Sequence, residues 1–359
     1  MKKLLFLAAA CLLAIGAKAQ RIEVVDTDGN GIPYASVLTA EAEYLGITDL
    51  DGILADAKGA KAVTITHVAF KPKEVRLDGK DIRVTLEEAD FCLAEITVQP
   101  KPYVYVQTYY RIFFFESKHG IVYYRAGLTD NAYDVKTGKV KASTNHFSTG
   151  FKGIITRMLN MLGSQFDQFS HLKVGKYEDR LIEKNKDIQL KITQTAPGHK
   201  SISDFKGVVG SISDDIQTGL RHIAIDNRLV SRHQLEAKGK TKELAKMDEF
   251  EKKMENEQKS DFIIYNIDEN GNYAPEDFLM AESTDCFDIE HKGENINVII
   301  GIQVFSTDRA YVTKDELKQR QKDNQMKMTY QNIQQFERQN NIPALAPVVS
   351  RAIGKLTSK

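Results

Sequence analysis

Four residues near the start of the chain have the spacing of a calcium-binding loop. In VDTDGNGIPYASV, Asp26, Asp28, Asn30 and Gly31 fill the first, third, fifth and sixth positions of such a loop. The twelfth position must supply a carboxylate that binds the ion through two oxygens, and Val37 stands there. Asp-Gly and Asn-Gly pairs also supply the positive φ angles of tight turns. We therefore predict a hairpin turn and no calcium site.

A second motif, HQLE, matches the H-x-x-E zinc pair of metallocarboxypeptidases through His233 and Glu236. A catalytic zinc needs a third protein ligand and an open position. His291 is the only later histidine, and it follows more closely than that enzyme class requires. We therefore predict no metal, no cofactor and no catalytic residue, so the protein is interpreted as non-enzymatic. An unrecognised hydrolase that depends on His233 remains an alternative.

Two Arg-His pairs are the other basic feature of the chain. Arg221-His222 and Arg232-His233 are eleven residues apart, which would place them on one face if the segment were a single helix. Such a face would suit an anion, but a solvated charged face is the simpler interpretation.

The first residues have the three parts of a secretory signal peptide. Lys2 and Lys3 are followed by an apolar stretch over residues 4–16 and by Ala-Lys-Ala at 17–19. We expect cleavage before Gln20 and export to the periplasm, in solution or against the outer membrane. No later apolar run reaches the length of a membrane span, so no transmembrane segment is predicted in the mature chain. Removing three lysines from a balanced chain leaves it slightly acidic, which excludes nucleic acid as a partner.

Residues 21–99 contain short apolar strands that are broken by Gly and Asp. In AKAVTITHVAF, Val63 and Ile65 alternate with Thr64 and Thr66. Short strands at regular spacing, with turn residues between them, are typical of a β-sandwich.

The same region carries motifs in a recognisable order. V-x-D-x-x-G-x-x-I-P-Y-A-S-V is followed by GITDLDG, then VTITHVAFK, then VTLEEADFCLAEITV. This succession resembles the carboxypeptidase-like regulatory domain. The resemblance covers residues 21–99 and implies a seven-stranded, transthyretin-like sandwich that serves as a binding or accessory module, as in Bacteroidetes-type envelope proteins. The matching residues of the middle motif are Gly46, Thr48, Asp49, Asp51 and Gly52.

The composition changes after Pro102, where YVYVQTYYRIFFF places seven aromatic residues among thirteen. Both faces of such a strand are apolar, so it must be covered on two sides or hold something. Core packing, a partner surface and a hydrophobic-ligand groove all remain open. The candidate binding surface comprises Tyr105, Tyr109, Tyr110, Phe113, Phe115, Tyr123 and Tyr124.

Helical patterns are interspersed with further strands over residues 103–312, which predicts an α+β domain with an antiparallel sheet. A Met-rich stripe predicts a buried helix over residues 154–169, and a second helix is predicted over 240–259. Residues 195–215, rich in Gly and Ser, are interpreted as a loop.

Residues 313–359 form the last predicted region. Thr313 and Glu316 have the spacing of a capping box, which predicts a long polar helix to about residue 340, followed by a docked tail. Its sparse apolar residues Tyr330, Ile333 and Phe336 mark a candidate partner helix.

These features favour an exported accessory protein that acts as an adaptor in an envelope assembly. A carrier of lipid or another hydrophobic ligand, with a cavity in the aromatic sheet, is the alternative. Cys92 and Cys286 are the two cysteines after the signal peptide, and an oxidising compartment permits a disulfide bond that spacing alone does not establish.

Overall fold

The computed structural model describes residues 20–357 apart from 41–43, 90–100, 119, 138, 152–176, 253, 292 and 324–329. The chain divides into two compact units, Met1–Glu88 and Ala89–Lys359. Over the described residues the fold is mainly β with antiparallel sheets and six helices, and the mainly β character with antiparallel sheets agrees with the sequence prediction. The predicted signal peptide and the predicted Met-rich helix over 154–169 lie outside the described residues.

The described part of unit 1 contains seven strands in two sheets. One sheet has the order β4-β1-β7, with β1 and β7 parallel, and the other has the order β3-β2-β5-β6 with antiparallel pairs. The predicted alternation on β5 is confirmed, because Val63 and Ile65 are buried whereas Thr64 and Thr66 are half-buried. The strands are β1 (Ile22–Val25), β2 (Ser36–Thr39), β3 (Tyr44–Ile47), β4 (Ile53–Leu54), β5 (Ala62–His67), β6 (Phe70–Arg76) and β7 (Ile82–Thr85).

The loop with calcium-like spacing is a tight turn that uses its own carboxylate. Asp26 Oδ1 accepts the backbone N–H groups of Asp28 at 2.9 Å and Asn30 at 2.8 Å. The Asn30 amide donates to Asp26 Oδ2 at 3.0 Å. The same arrangement recurs in unit 2, where Asp268 accepts from Asn272 through backbone at 2.7 Å and side chain at 3.1 Å. The predicted turn is therefore confirmed, and its hydrogen bonds show what the acidic residues do.

Unit 2 is built on a ten-stranded sheet with the order β10-β9-β8-β17-β16-β15-β14-β13-β12-β11. Every neighbouring pair is antiparallel. Sequential neighbours are adjacent except β10 and β11, which lie at opposite edges of the sheet, so β17 pairs with β8. The strands are β8 (Tyr103–Glu116), β9 (Gly120–Asp134), β10 (Val140–Phe151), β11 (Lys191–Ala196), β12 (His199–Ser203), β13 (Val208–Asp215), β14 (Leu220–Asp226), β15 (Met254–Asn266), β16 (Phe278–His291) and β17 (Glu294–Val312).

Two of the helices of unit 2 pack against this sheet through apolar residues. Leu181 of α1 and Val230 of α2 are buried in the apolar core of one sheet face. Asp226 caps α2 by accepting the Leu229 N–H at 3.0 Å. The helices are α1 (Tyr177–Lys184), α2 (Asn227–Ala237), α3 (Thr241–Glu251), α4 (Lys314–Asp323), α5 (Tyr330–Gln339) and α6 (Pro347–Thr357).

The capping box before α4 is confirmed. The Thr313 N–H donates to Glu316 Oε2 at 2.7 Å, and the Glu316 N–H donates to Thr313 Oγ1 at 3.3 Å. The predicted long helix is described as two segments, α4 and α5, and residues 324–329 between them lie outside the described part.

Two expectations for unit 2 are wrong, and a third interpretation was conditional. The segment 195–215 holds strands β12 and β13, because pairing with the neighbouring strand at each side outweighs its Gly and Ser content. The helix predicted over 240–259 ends at Glu251, and Met254 begins β15, which pairs with β16 from its first residue and with β14 over its second half. The condition for a shared face of the two Arg-His pairs is not met, since Arg221 lies on β14 and Arg232 on α2, and Arg221 is buried instead of lying on a solvated face.

Thr48 offers a test of the unit 1 arrangement. Its buried hydroxyl accepts the Ala35 N–H at 2.8 Å and donates to the Ile32 carbonyl at 2.6 Å. Thr48→Val keeps the shape but leaves two buried backbone groups unsatisfied, so we expect a loss of about 1–3 kcal/mol. Hydrogen exchange of unit 1 amides, read by mass spectrometry, measures it. Thr66→Val, at a half-buried strand position, is the control, and equal effects of the two changes would refute this role of Thr48.

Candidate functional site

Strand β8 is buried on both faces, as the aromatic pattern predicts. All its residues after Tyr103 are buried. Tyr110, Ile112 and Phe114 join the main apolar cluster of the unit, and the side of the sheet that carries them is called the core face below. Residues of opposite parity, such as Tyr109 and Arg111, lie on the other side, which α5 covers and which is called the helix-covered face.

Arg111 occupies the centre of the helix-covered face, with 1% of its surface exposed. Its Nε donates to Gln303 Oε1 on β17 at 2.6 Å. Its Nη1 donates to Glu337 Oε1 on α5 at 2.9 Å, and its Nη2 donates to the carbonyl of Pro343 at 2.7 Å. The guanidinium also lies over the Phe305 ring at 5.3 Å from its centroid. One buried cation therefore joins two strands, a helix and the segment after it.

Aromatic contacts also hold α5 against the sheet. The Tyr109 and Phe336 rings are 5.4 Å apart between centroids, and the Tyr124 and Tyr330 rings are 5.8 Å apart in an edge-to-face arrangement. Ile333 of α5 is fully buried. The two predicted surfaces, the aromatic strands and the candidate partner helix, thus contact each other within unit 2.

The protonation states of this cluster follow from its burial. Desolvation, reinforced by the Glu337 carboxylate, raises the pKa of Tyr109 and Tyr124 far above the usual phenol value. Both hydroxyls therefore stay neutral, and Tyr109 donates to Glu337 Oε1 at 2.7 Å. Burial works against the charge of Arg111, but Glu337 overcomes this and raises the guanidinium pKa. Arg111 therefore stays charged at physiological pH.

The other predicted aromatic residues divide between the two faces. Tyr110 and Tyr123 belong to the core cluster. Tyr105 lies under the Arg320 guanidinium of α4, 4.9 Å from the ring centroid, and its hydroxyl donates to Asp130 at 2.7 Å. Phe113 and Phe115 are also buried. The Phe113 ring lies over Gly301 of β17, where a Cβ would be only 2.3 Å from the ring.

The remaining candidates from the sequence lie elsewhere in the unit. The His233 ring of α2 pairs with the buried Asp204 carboxylate, whereas Glu236 pairs with Lys206, so the two members of the H-x-x-E motif have different partners. Within the described residues, no group of three or more His, Cys, Asp or Glu side chains is arranged to hold a metal ion. Cys286 is buried on β16, and Cys92 lies outside the described residues.

Unit 2 contains a second buried ion network, which was not predicted from the sequence. Arg221 binds both oxygens of Asp214, at 2.5 and 2.7 Å, and Glu178 of α1 at 3.1 Å. Tyr273 donates to the same Glu178, and the Arg221 guanidinium lies over the Tyr273 ring. Arg221 and Lys200 lower the pKa of Asp214 despite its burial. The network joins α1 to β13, β14 and a turn, so its role is structural.

Two buried acids on the core face were also not predicted from the sequence. Asp261 of β15 and Asp285 of β16 lie on the side of the sheet that carries Ile263 and Ala281 of the apolar cluster. Burial raises the pKa of both carboxyl groups. Strand alternation in DFIIYN, with an acid two residues before Ile263, was the available signal.

No protein-family description and no curated protein matches the chain. A search of solved structures finds a similarity to a structure titled "Lipid-protein interactions in lipovitellin", at 10% identity and a TM-score of 0.28. The match covers 60% of this chain and 26% of the other, so the chain spans about a quarter of that protein. A similarity at this level carries no functional argument. Among the described residues, no helix is both long and apolar enough to cross a membrane.

The Arg111–Glu337 pair can be tested by removing one partner. Glu337→Ala leaves a buried, permanently charged guanidinium uncompensated, so we expect the docked C-terminal segment to lose about 3–5 kcal/mol of stability. Hydrogen exchange of amides in α5 and α6 measures the loss. Arg338→Ala, at an exposed neighbour on the same helix, is the control. Unchanged protection in Glu337→Ala would contradict the anchoring role.

The raised pKa of Asp261 predicts an unusual pH dependence of the protein's stability. Because burial raises its pKa, native Asp261 binds a proton more tightly than the unfolded chain does, and stability falls as pH rises through the folded-state pKa. Asp261→Asn removes that penalty and keeps an acceptor for the Tyr177 hydroxyl, which lies at 3.2 Å. We expect a higher melting temperature than wild type near neutral pH and a smaller gain in acid.

Asp268→Asn serves as the opposite case. Backbone N–H groups of its turn lower the pKa of Asp268, so its contribution is present at neutral pH and is lost as pH falls. A gain for Asp261→Asn that does not depend on pH would argue against the titration of this group.

Proposed function

We propose that the chain is an exported, non-enzymatic accessory protein of the cell envelope that acts as an adaptor. Unit 1 would be the transthyretin-like module that its motifs resemble, and its seven strands in two sheets support that assignment. The signal-peptide pattern of residues 1–19 supports export. Unit 2 would present the surface that a partner recognises.

The observation that carries the adaptor proposal is the exposure of α4. No residue of Lys314–Asp323 is buried, although ten residues are too few for a stable isolated helix in water. Polar contacts hold it instead. These are the Thr313–Glu316 capping box, the Lys101–Glu316 pair at 3.1 Å and the pair between Arg320 and Asp308. A helix fixed at its start and along one side presents its charged outer face in a defined position, as a docking element requires.

Charge reversal on α4 tests this proposal. Lys318→Glu with Lys322→Glu changes two exposed residues of the helix, and we expect the affinity for the partner to fall about tenfold, or about 1.4 kcal/mol. Cross-linking of the tagged full-length chain in its native envelope, followed by mass spectrometry, measures the yield with each protein that is joined to α4.

Lys61→Glu with Lys80→Glu, at exposed positions of unit 1, is the matched control because it makes the same change in net charge. An equal loss in both variants would indicate a general charge effect. Undiminished cross-linking to α4 in its charge-reversed form would refute the adaptor surface.

A hydrophobic-ligand carrier is the second candidate, and one observation favours it. The core face of the ten-stranded sheet carries an extended, buried apolar cluster together with Asp261 and Asp285. Binding sites for small molecules are mostly apolar with a few convergent polar groups, which this face provides. For a hydrolase dependent on His233, the pairing of its ring with Asp204 offers no comparable support.

A further inference from the structure

A lysine and an acid face each other on adjacent strands of the core face. Lys259 of β15 lies directly opposite Asp285 of β16, and Lys259 Nζ is 3.9 Å from Asp285 Oδ2. Asp261 follows Lys259 by two residues on the same side of β15, so it is a diagonal neighbour of Asp285. One amine is therefore held beside two carboxyl groups.

The surroundings of Asp285 disfavour its charge. Ile300 of the apolar cluster lies opposite Asp285 on β17, and Phe287, two residues further along β16, packs against that cluster. Within the described residues, no group donates a hydrogen bond to the buried Oδ1 of Asp285. Burial raises the pKa of this carboxyl group, although Lys259 acts in the opposite direction. A neutral carboxyl group is the form that an amine attacks, because the negative charge of a carboxylate makes its carbon a poor electrophile.

Asp261 is placed to exchange protons with this pair. Its exposed fraction is 5%, and burial raises the pKa of its carboxyl group. The charge of Lys259 is among the causes that oppose this rise, so Lys259 interacts with both acids. When one acid is ionised, transfer of the ammonium proton to it leaves a neutral amine between two neutral carboxyl groups.

We propose that the folded chain joins the side chains of Lys259 and Asp285 in an amide bond. The lone pair of the neutral Lys259 Nζ forms a bond to Asp285 Cγ, and the bond from Cγ to the hydroxyl oxygen breaks. Asp261 takes a proton from the nitrogen and gives its own proton to the hydroxyl, which leaves as water. No oxidant, cofactor or second protein takes part. The bond would connect β15 to β16, and it depends neither on the adaptor surface nor on a bound ligand.

The fold provides the proximity that such a reaction needs. Groups held in a near-attack arrangement, with reacting atoms about 3–3.5 Å apart, react as if at very high concentration. Asp285 Oδ2 is bonded to the carbon under attack, so a small rotation of the Lys259 side chain brings Nζ towards that carbon. The two side chains are 32% and 28% exposed, which leaves a route for the released water.

A second lysine–aspartate pair in unit 2 provides an internal control. Lys200 Nζ is 3.2 Å from Asp214 Oδ2, which is closer than the pair on β15 and β16. Arg221 binds both oxygens of Asp214 and, together with Lys200, lowers the pKa of this carboxyl group despite its burial. Asp214 is therefore ionised, and no amide bond is expected there. Distance alone would predict the opposite order of reactivity.

Peptide mapping by mass spectrometry tests the proposal on the full chain. In the wild type we expect a tryptic product in which residue 259 is joined to residue 285, with a mass lower than the sum of its two peptides by one water. Lys259→Arg keeps the positive charge but cannot form the bond, and Asp285→Ala removes the acid. Both variants are expected to give two separate peptides of full mass.

Asp261→Asn tests the proton exchange. We expect the joined fraction to increase about a hundredfold more slowly than in the wild type, at the lower end of general acid–base contributions. Asp288→Asn is the matched control, because Asp288 is a buried acid on the opposite face of β16, bound to the Asn297 amide at 2.7 Å. It should react at the wild-type rate. Because the bond would also raise the melting temperature, the pH dependence of Asp261→Asn is measured in chains that carry Lys259→Arg.

Each result supports or overturns a defined part of the proposal. Separate peptides of full mass in the wild type, in freshly made and in aged protein, would overturn the bond itself. A bond between Lys200 and Asp214 would show that proximity is sufficient and would refute the requirement for a neutral acid. Equal rates in Asp261→Asn and the wild type would refute the role of Asp261.

Discussion

The placement of the C-terminal third of unit 2 depends on one buried guanidinium. Arg111 has left water almost completely, so its donors must be met inside the protein or the charge becomes very costly. The acceptors are Gln303, Glu337 and the carbonyl of Pro343, which follow it by 192, 226 and 232 residues. The helix-covered face is therefore satisfied only after β17 has joined β8 and α5 has returned over both.

Much of the fold follows from local patterns in the sequence. The alternation in β5, the Asp26 turn and the Thr313 capping box depend on neighbouring residues, and these predictions are confirmed. The wrong predictions concern segments whose secondary structure depends on pairing with residues far away in the sequence. Residues 195–215 resemble a loop in composition but are held as strands on both sides, and Met254 continues a helical pattern yet begins a strand. Pairing partners of that kind have no signal in the strand's own residues.

The candidate site shows the same division. Two apolar faces on β8 were visible in the sequence, and so were the apolar positions of α5. That these two surfaces cover each other was not, because the decisive contact joins Arg111, which interrupts an aromatic run, to Glu337 on a polar helix. Neither residue stands out alone. A charge is tolerated in the interior only if the fold brings a partner to it, and a single sequence does not reveal that pairing.

The buried cations and the buried acids of the sheet have different surroundings. Arg111 and Arg221 each have several acceptors and an aromatic ring beneath them, which is the environment of a permanent structural charge. Asp261 and Asp285 are carboxyl groups whose burial raises their pKa values, and Asp261 is held by the side chains of Tyr177, Asn227 and Ser283. The core face is therefore also covered by its own chain, because Leu181 of α1 and Val230 of α2 pack into its apolar cluster. Both faces of the sheet carry buried charged or ionisable groups, and on each face the surrounding chain determines their state.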